Sequence, residues 1–157
     1  MVYAEDDDLK IYRSNILELG VLAWDDQHDA AALIINRDID VGWYREACAG
    51  RSFNSALYPS NRFLYYQAIP FDSKKLLNAA MQLKRLGCYK ALEIIYGTLA
   101  KDAKDDPFRE QSKDFKALYE AELKAVLKAG LDYDWDDSGT IDATESAIDV
   151  PRRLVKC

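Results

Sequence analysis

Apolar residues recur at helical spacing along most of this chain, and the pattern predicts four helices. The first helix is predicted from Asp7 to Leu19, with Gly20 behind it as a stop signal. The second begins at Asp25, a capping residue, and continues past Trp43. Its apolar face repeats every four residues, at Ala31, Ile35, Ile39 and Trp43.

The third and fourth helices follow a loop. The third is predicted to start after the cap Asp72, to run through Ile95, and to be the longest and most central helix. Small residues along it would let another helix approach closely; they are Ala80, Gly87 and Ala91. The fourth begins with Asp106 as cap and Pro107 at the first helical position, and it ends at Gly130.

These elements predict an all-α fold: a small bundle of about four helices, with a long aromatic loop and an extended C-terminal arm. At 157 residues the chain can bury one substantial core. We expect residues 1–130 to form the helical bundle domain, and residues 131–157 to form an acidic loop followed by the arm.

The segment from Gly50 to Phe71 combines turn-forming residues with many aromatic ones. Loops of this length usually have a function or a structure of their own. One interpretation is a segment that covers the core, with a short strand at Phe63–Gln67. The other is a contact with another subunit, because aromatic residues are enriched at interface cores. The candidate partner-binding residues are Tyr58, Phe63, Tyr65 and Tyr66.

Residues 134–145, DWDDSGTIDATE, have the spacing of a calcium-binding EF-hand loop. Oxygen ligands would come from positions 1, 3, 5, 7, 9 and 12, because calcium takes six to eight hard oxygens. The candidate ligands are Asp134, Asp136, Ser138, the Thr140 carbonyl, Asp142 and Glu145. Gly139 falls at position 6, where the loop turns at positive φ.

The flanks of this loop fit an EF-hand less well. Gly130 ends the incoming helix early, Pro151 limits the outgoing one to about two turns, and no second hand is present in the sequence. The alternative is an acidic turn whose carboxylates stay in water. Calcium is the one candidate cofactor, and the chain requires none.

Charge and composition exclude several classes of function. A net charge of −6 and a pI near 4.8 argue against electrostatic binding to nucleic acid or to an anionic membrane. The acidic N-terminus lacks the segments of a signal peptide, and no apolar run is long enough to span a membrane, so we expect a protein made in a cytoplasm. The cysteines are expected to be ordinary thiols; they are Cys48, Cys88 and Cys157.

Little in the sequence indicates catalysis. His28 is the only histidine, has no nucleophile arranged beside it, and is predicted to lie on the surface. No phosphate-binding loop, metalloprotease motif or nucleotide fingerprint is present. We therefore expect that the protein is not an enzyme. An enzyme would require a pocket around His28 and nearby acids.

The order of elements resembles that of the head-tail adaptor, or head-completion, proteins of tailed bacteriophages. The resemblance covers nearly the whole chain and lies in layout rather than in one diagnostic motif. Its stretches are VYAEDDDLK, ILELGV, DDQHDAAALIINRDIDVGWYREA, AAMQLKRLGCYKALEIIYGTLAKDAKDDPF and FKALYEAELKAVLKAGLDYDWDDSGTID, followed by an arm-like tail.

The resemblance implies a helical bundle that assembles as a homo-oligomer, a twelve-membered ring beneath the portal protein in the neck of the virion. The lower surface would receive the tail or the next connector protein, DNA would pass through the channel with passive contact only, and no membrane would be involved. The C-terminal segment would reach the portal, with candidate contact residues Val150, Arg152, Arg153 and Leu154. A frayed terminus is the alternative.

Overall fold

A computed structural model describes residues 1–19, 23–51, 70–101, 106–135 and 137–140, with the backbone alone at 49–51. The described residues are mostly helical and contain no β-strand, which confirms the predicted all-α class. They form two compact units. The first comprises Met1–Ile35 with Asn78–Leu131, and the second comprises Asn36–Leu77 with Asp132–Cys157.

The predicted helix from Asp7 to Leu19 is wrong as a single element. Helix α1 spans only Asp6–Leu9, and a separate 3₁₀ turn spans Ile16–Glu18. Ser14 and Asn15 lie between them, and such residues bond locally to backbone and favour turns over helix. Leu9 and Ile16 are nevertheless fully buried, so the apolar pattern identified core positions correctly although the backbone is not one helix.

The second predicted helix is confirmed. Helix α2 spans Asp25–Ile39 and continues through a π-helical turn, Asp40–Tyr44, into α3 at Arg45–Arg51. The four apolar positions predicted for its face are all buried; they are Ala31, Ile35, Ile39 and Trp43.

The third predicted helix is interrupted. Asp72 does act as a cap, accepting a hydrogen bond from the Lys74 backbone N–H, but only for the 3₁₀ turn Ser73–Lys75. Leu76 is then extended and pairs with Tyr133 in an isolated antiparallel bridge. Helices α4, Ala79–Gln82, and α5, Lys84–Leu99, follow. A backbone pairing with a distant residue thus overrides the local helical pattern.

The fourth predicted helix is confirmed, and it is the longest of the described helices. Helix α6 spans Pro107–Ala129, 23 residues against 16 for α5. The Asp106 carboxylate accepts hydrogen bonds from the Phe108 backbone N–H at 2.8 Å and from that of Lys101. These backbone donors hold the pKa of Asp106 below its ordinary value. Gly130 ends the helix at φ 86°.

The core of the first unit forms where α5 and α6 pack against each other and against the N-terminal segment. Tyr96 of α5 stacks on Phe115 of α6, with ring centroids 5.7 Å apart. The Arg13 guanidinium lies 5.5 Å from the Phe115 ring centroid, within cation–π range. The Cys88 thiol is buried here, and burial raises its pKa to about 12.

The predicted close approach occurs at Gly87, but its neighbour is not a helix. A Cβ at Gly87 would lie 3.0 Å from the Tyr3 Cβ and 3.2 Å from the Ala4 Cβ, so the segment before α1 packs directly on this backbone. Ala91 is also buried, whereas Ala80 is exposed. At Gly87 the close contact is therefore made by the segment before α1, whereas the helix that packs against α5 is α6.

The two units do not follow the predicted division of the chain. The predicted boundary after Gly130 lies one residue from the end of the first unit at Leu131. The segment Asn36–Leu77, which the sequence placed in the bundle, belongs instead to the second unit.

Across the described ranges, no helix is both long enough and apolar enough to cross a bilayer.

Candidate functional site

The first half of the acidic loop, Asp134 to Thr140, is the candidate site, and it lies in the second unit. Its second residue, Trp135, belongs to a group of five packed rings, called here the aromatic cluster: Trp43, Tyr44, Phe71, Tyr133 and Trp135. Tyr44 and Trp135 stack with centroids 5.5 Å apart and planes within 2°. Tyr133 lies 4.8 Å from Trp135, centroid to centroid. Because the rings on both sides of Asp134 are packed, the start of the loop is held in place.

The backbone around Tyr133 is also paired. The Leu77 N–H donates to the Asp132 carbonyl at 3.0 Å, and the Asp134 N–H donates to the Lys75 carbonyl at 2.8 Å. The Tyr133 hydroxyl accepts from the Asp72 N–H at 3.3 Å. These bonds join residues far apart in sequence, so they position the loop without any local signal in the chain.

Asp134 is the organising side chain of the turn. It is only 6% exposed, and its two carboxylate oxygens accept from the Ser138 N–H at 3.0 Å and the Gly139 N–H at 2.8 Å. A buried carboxylate is tolerated when backbone donors satisfy it. The first residue of the predicted loop therefore folds back over positions 5 and 6.

Two residues of the turn have left-handed backbone. Gly139 has φ 75°, as predicted for the sixth loop position, and Asp137 has φ 61°. Aspartate is among the few non-glycine residues that adopt this conformation readily. The Ser138 hydroxyl donates to the Thr140 carbonyl at 2.9 Å, so this carbonyl, a predicted calcium ligand, already accepts one hydrogen bond.

A lysine lies beside the turn, and sequence reasoning missed it. The Lys75 ammonium is 2.7 Å from a carboxylate oxygen of Asp137. The hydrogen bond to Asp137 raises the pKa of Lys75, and the negative charge of Asp134 adds to the effect. Nothing in the spacing of the sequence relates Lys75 to this loop, because only the pairing of Leu76 with Tyr133 brings them together.

The candidate calcium ligands are described only in part. Asp134, Ser138 and Thr140 lie in the described turn, whereas Asp136, Asp142 and Glu145 lie outside the described residues. Among the residues that are described, no three acidic, histidine or cysteine side chains converge as a metal-binding group.

The candidate partner-binding residues also lie outside the described ranges. This holds for Tyr58, Phe63, Tyr65 and Tyr66, for the predicted strand at Phe63–Gln67, and for Val150, Arg152, Arg153 and Leu154. Phe71, at the end of the aromatic segment, is described. Its ring lies 5.5 Å from Tyr44 and 5.8 Å from Tyr133, centroid to centroid, so this residue packs against rings of its own chain.

The prediction that His28 lies on the surface is wrong. The side chain is 5% exposed, and its Nε2 lies 3.1 Å from the Oδ1 of Asp6. The other Asp6 oxygen accepts from the Trp24 N–H at 3.4 Å, next to the first turn of α2. Asp6 lies far from His28 in sequence, so no local pattern could have indicated this pair.

No family model, curated protein or solved structure matches this chain.

Proposed function

We propose that this chain is a structural protein of the virion, a head-tail adaptor that joins the portal to the tail or to the next connector. In this proposal it is made in the host cytoplasm, assembles as a ring in the neck, and allows DNA to pass. It acts through its shape and contacts rather than through catalysis.

The all-α fold is the observation that carries the proposal. The resemblance implies a small helical bundle, and the described chain is such an arrangement of helices, with α5 and α6 packed around a core of aromatic and aliphatic residues. A β-sheet in place of these helices would have contradicted the proposal, because the resemblance implies a helical bundle.

The charge of the chain supports the same role. DNA that moves through a ring should not be bound tightly by its wall, and a subunit with a net charge of −6 repels phosphate. Binding is instead assigned to protein partners, through the aromatic segment between Gly50 and Phe71 and through the C-terminal arm.

The direct test mixes purified full-length protein with portal rings of the same virus and separates complexes by sedimentation. The proposal expects co-sedimentation of the chain with the portal. The variant Arg152→Glu/Arg153→Glu should weaken it, whereas Lys113→Glu/Lys116→Glu, the same charge change on exposed positions of α6, should not. Absence of any complex with portal or connector proteins would contradict the proposal.

A calcium-binding module is the second candidate function, and the Asp134 turn is the observation that favours it. A carboxylate at the first loop position accepts backbone N–H groups from positions 5 and 6, and glycine at position 6 has positive φ. If the other candidate ligands, Asp136, Asp142 and Glu145, also contribute oxygens, the loop would hold calcium. Calcium would then fix the direction in which the arm continues from the loop.

Calorimetric titration with calcium tests this second function. Binding that is lost in Asp134→Ala and in Glu145→Gln would support a site built on the loop. Heats that are absent at millimolar calcium, or unchanged in both variants, would exclude it and leave the adaptor proposal intact.

A further inference from the structure

An acidic cleft lies entirely within the first unit, between the segment around α1 and the start of α2. Its volume is about 660 Å³, within the range of about 300–1,000 Å³ typical of pockets that hold a small ligand or a few side chains. Three apolar residues contribute to its wall: Val2, Ala4 and Leu17. The cleft is therefore large enough for a few side chains of a partner segment and is not purely polar.

The titratable residues that line the cleft are five carboxylates and one imidazole, with no lysine or arginine: Glu5, Asp6, Asp7, Asp25, Asp29 and His28. The pocket around His28 that an enzyme would require is therefore present, but no serine, threonine or cysteine is among the described residues that line it. Asp6 is engaged with His28, and Asp7 pairs with Lys10 at 2.6 Å. Within the described part of the chain, the Asp25 and Asp29 carboxylates have no hydrogen-bond or ion-pair partner. They lie one helical turn apart on α2 and leave negative charge at the cleft.

The arrangement of these acids favours a cationic peptide over a metal ion. In the described ranges, no three of them converge closely enough to ligate one ion. Carboxylates that are spread along a wall match several separate cationic side chains, and arginine can pair with each carboxylate through two parallel hydrogen bonds. The apolar wall residues match aliphatic side chains between the charges.

We propose that the acidic cleft binds the basic segment of residues 150–156, VPRRLVK, from a second copy of this chain. That segment carries Arg152, Arg153 and Lys156 together with aliphatic Val150, Leu154 and Val155, so its charge and its apolar content both complement the cleft. This inference rests on the proposed adaptor function, in which copies adjoin one another, and it names the contact that links them.

Charge exchange tests the contact in the full-length protein by sedimentation velocity at low ionic strength. Wild type should self-associate reversibly. Two charge reversals should each raise the dissociation constant of self-association at least about tenfold, because like charges then face each other. They are Asp25→Lys/Asp29→Lys in the cleft and Arg152→Glu/Arg153→Glu in the segment. Mixing the two variants should restore association, since the reversed cleft then meets the reversed segment.

The matched control is Asp26→Lys/Asp114→Lys, which makes the same change in net charge at exposed positions that do not line the cleft. It should associate like wild type, and circular dichroism should show that every variant is folded. A monomeric wild type, loss of association in the control, or mixed variants that stay apart would overturn the inference.

Portal co-sedimentation is measured separately with Asp25→Lys/Asp29→Lys, which leaves the basic segment unchanged. If this variant binds the portal but does not self-associate, the cleft contact is supported independently of portal binding. If it self-associates like wild type, the inference is overturned while the adaptor function stands.

Discussion

Asp106 and Gly87 show how single residues set the structure of the first unit. Asp106 uses both carboxylate oxygens, one on the first turn of α6 and one on the chain that precedes it. Gly87 lies where the Tyr3–Ala4 segment meets α5, at a separation that leaves no room for a side chain. Asp106 thus joins the start of α6 to the chain before it, and Gly87 allows the Tyr3–Ala4 segment to pack against α5.

Replacing Asp106 should destabilise the protein in a pH-dependent manner. Because the pKa of Asp106 in the folded state is below its ordinary value of 3.8, its ionised form contributes stability above that value, and this contribution is lost as the pH falls through the folded-state pKa. Asp106→Ala should lower the urea midpoint at pH 7, and the difference from wild type should shrink at pH 3.

Asp106→Asn separates the charge from the cap. Asparagine still accepts from the Phe108 N–H, so this variant should lie between wild type and Asp106→Ala at pH 7. An alanine variant whose deficit is the same at both pH values would show that the ionised carboxylate is not what matters.

The two helical glycines of α5 should respond in opposite directions to alanine. Gly97→Ala meets only the Ser112 hydroxyl at 3.4 Å, so the helix propensity of alanine should stabilise the protein by up to about 1 kcal/mol. Gly87→Ala places a methyl group against Tyr3 and Ala4 and should destabilise it by about 1–3 kcal/mol. Urea denaturation measures both. Equal shifts in the same direction would contradict the packing described at Gly87.

At the scale of elements, helices with local start and stop signals were predicted correctly, whereas a helix interrupted by a distant backbone pairing was not. Helix α6 was predicted because Asp106, Pro107 and Gly130 mark its ends within the sequence itself. The helix predicted from Asp72 onward is interrupted because Leu76 pairs with Tyr133, which lies 57 positions later in the sequence. Single-sequence periodicity carries no information about such a partner.

The same distinction applies to the candidate site. The glycine at positive φ follows from loop spacing, and the structure has it. Asp134 was predicted as a calcium ligand, and its bonds to the Ser138 and Gly139 N–H groups were not predicted. Lys75 and three rings of the aromatic cluster come from elsewhere in the chain. His28 likewise pairs with Asp6, which lies 22 residues before it. These relations depend on the tertiary fold.

Removing the Asp134 carboxylate should loosen the turn. In Asp134→Ala the Ser138 and Gly139 amides lose their acceptor, a loss of about 1–3 kcal/mol for a buried hydrogen-bonded group, so their hydrogen exchange should accelerate at least about tenfold. Asp137→Asn keeps both acceptors and should leave these amides protected. Unchanged exchange in Asp134→Ala would show that the carboxylate does not organise the turn.

Lys75 should oppose any cation that enters the acidic loop. If calcium binds, Lys75→Met should strengthen binding by about fivefold, because one positive charge at a few ångströms in water is worth about 1 kcal/mol. Lys74→Met, a neighbouring exposed lysine, is the control and should change calorimetric affinity little. Equal affinities for the two variants would exclude the electrostatic role of Lys75.

At the scale of the whole molecule, the chain is an acidic, all-α protein whose proposed role is assembly. The described charges favour contact with basic protein segments rather than with DNA. The aromatic cluster holds the start of the acidic loop in place, because Tyr133 and Trp135 pack on either side of Asp134.

Electron microscopy of the full-length protein mixed with portal rings tests the adaptor function most directly. The account predicts a second ring of density stacked coaxially on one end of the portal, with twelve subunits in symmetry-resolved class averages. Portal rings that remain bare at saturating protein, while the protein itself is folded by circular dichroism, would contradict it.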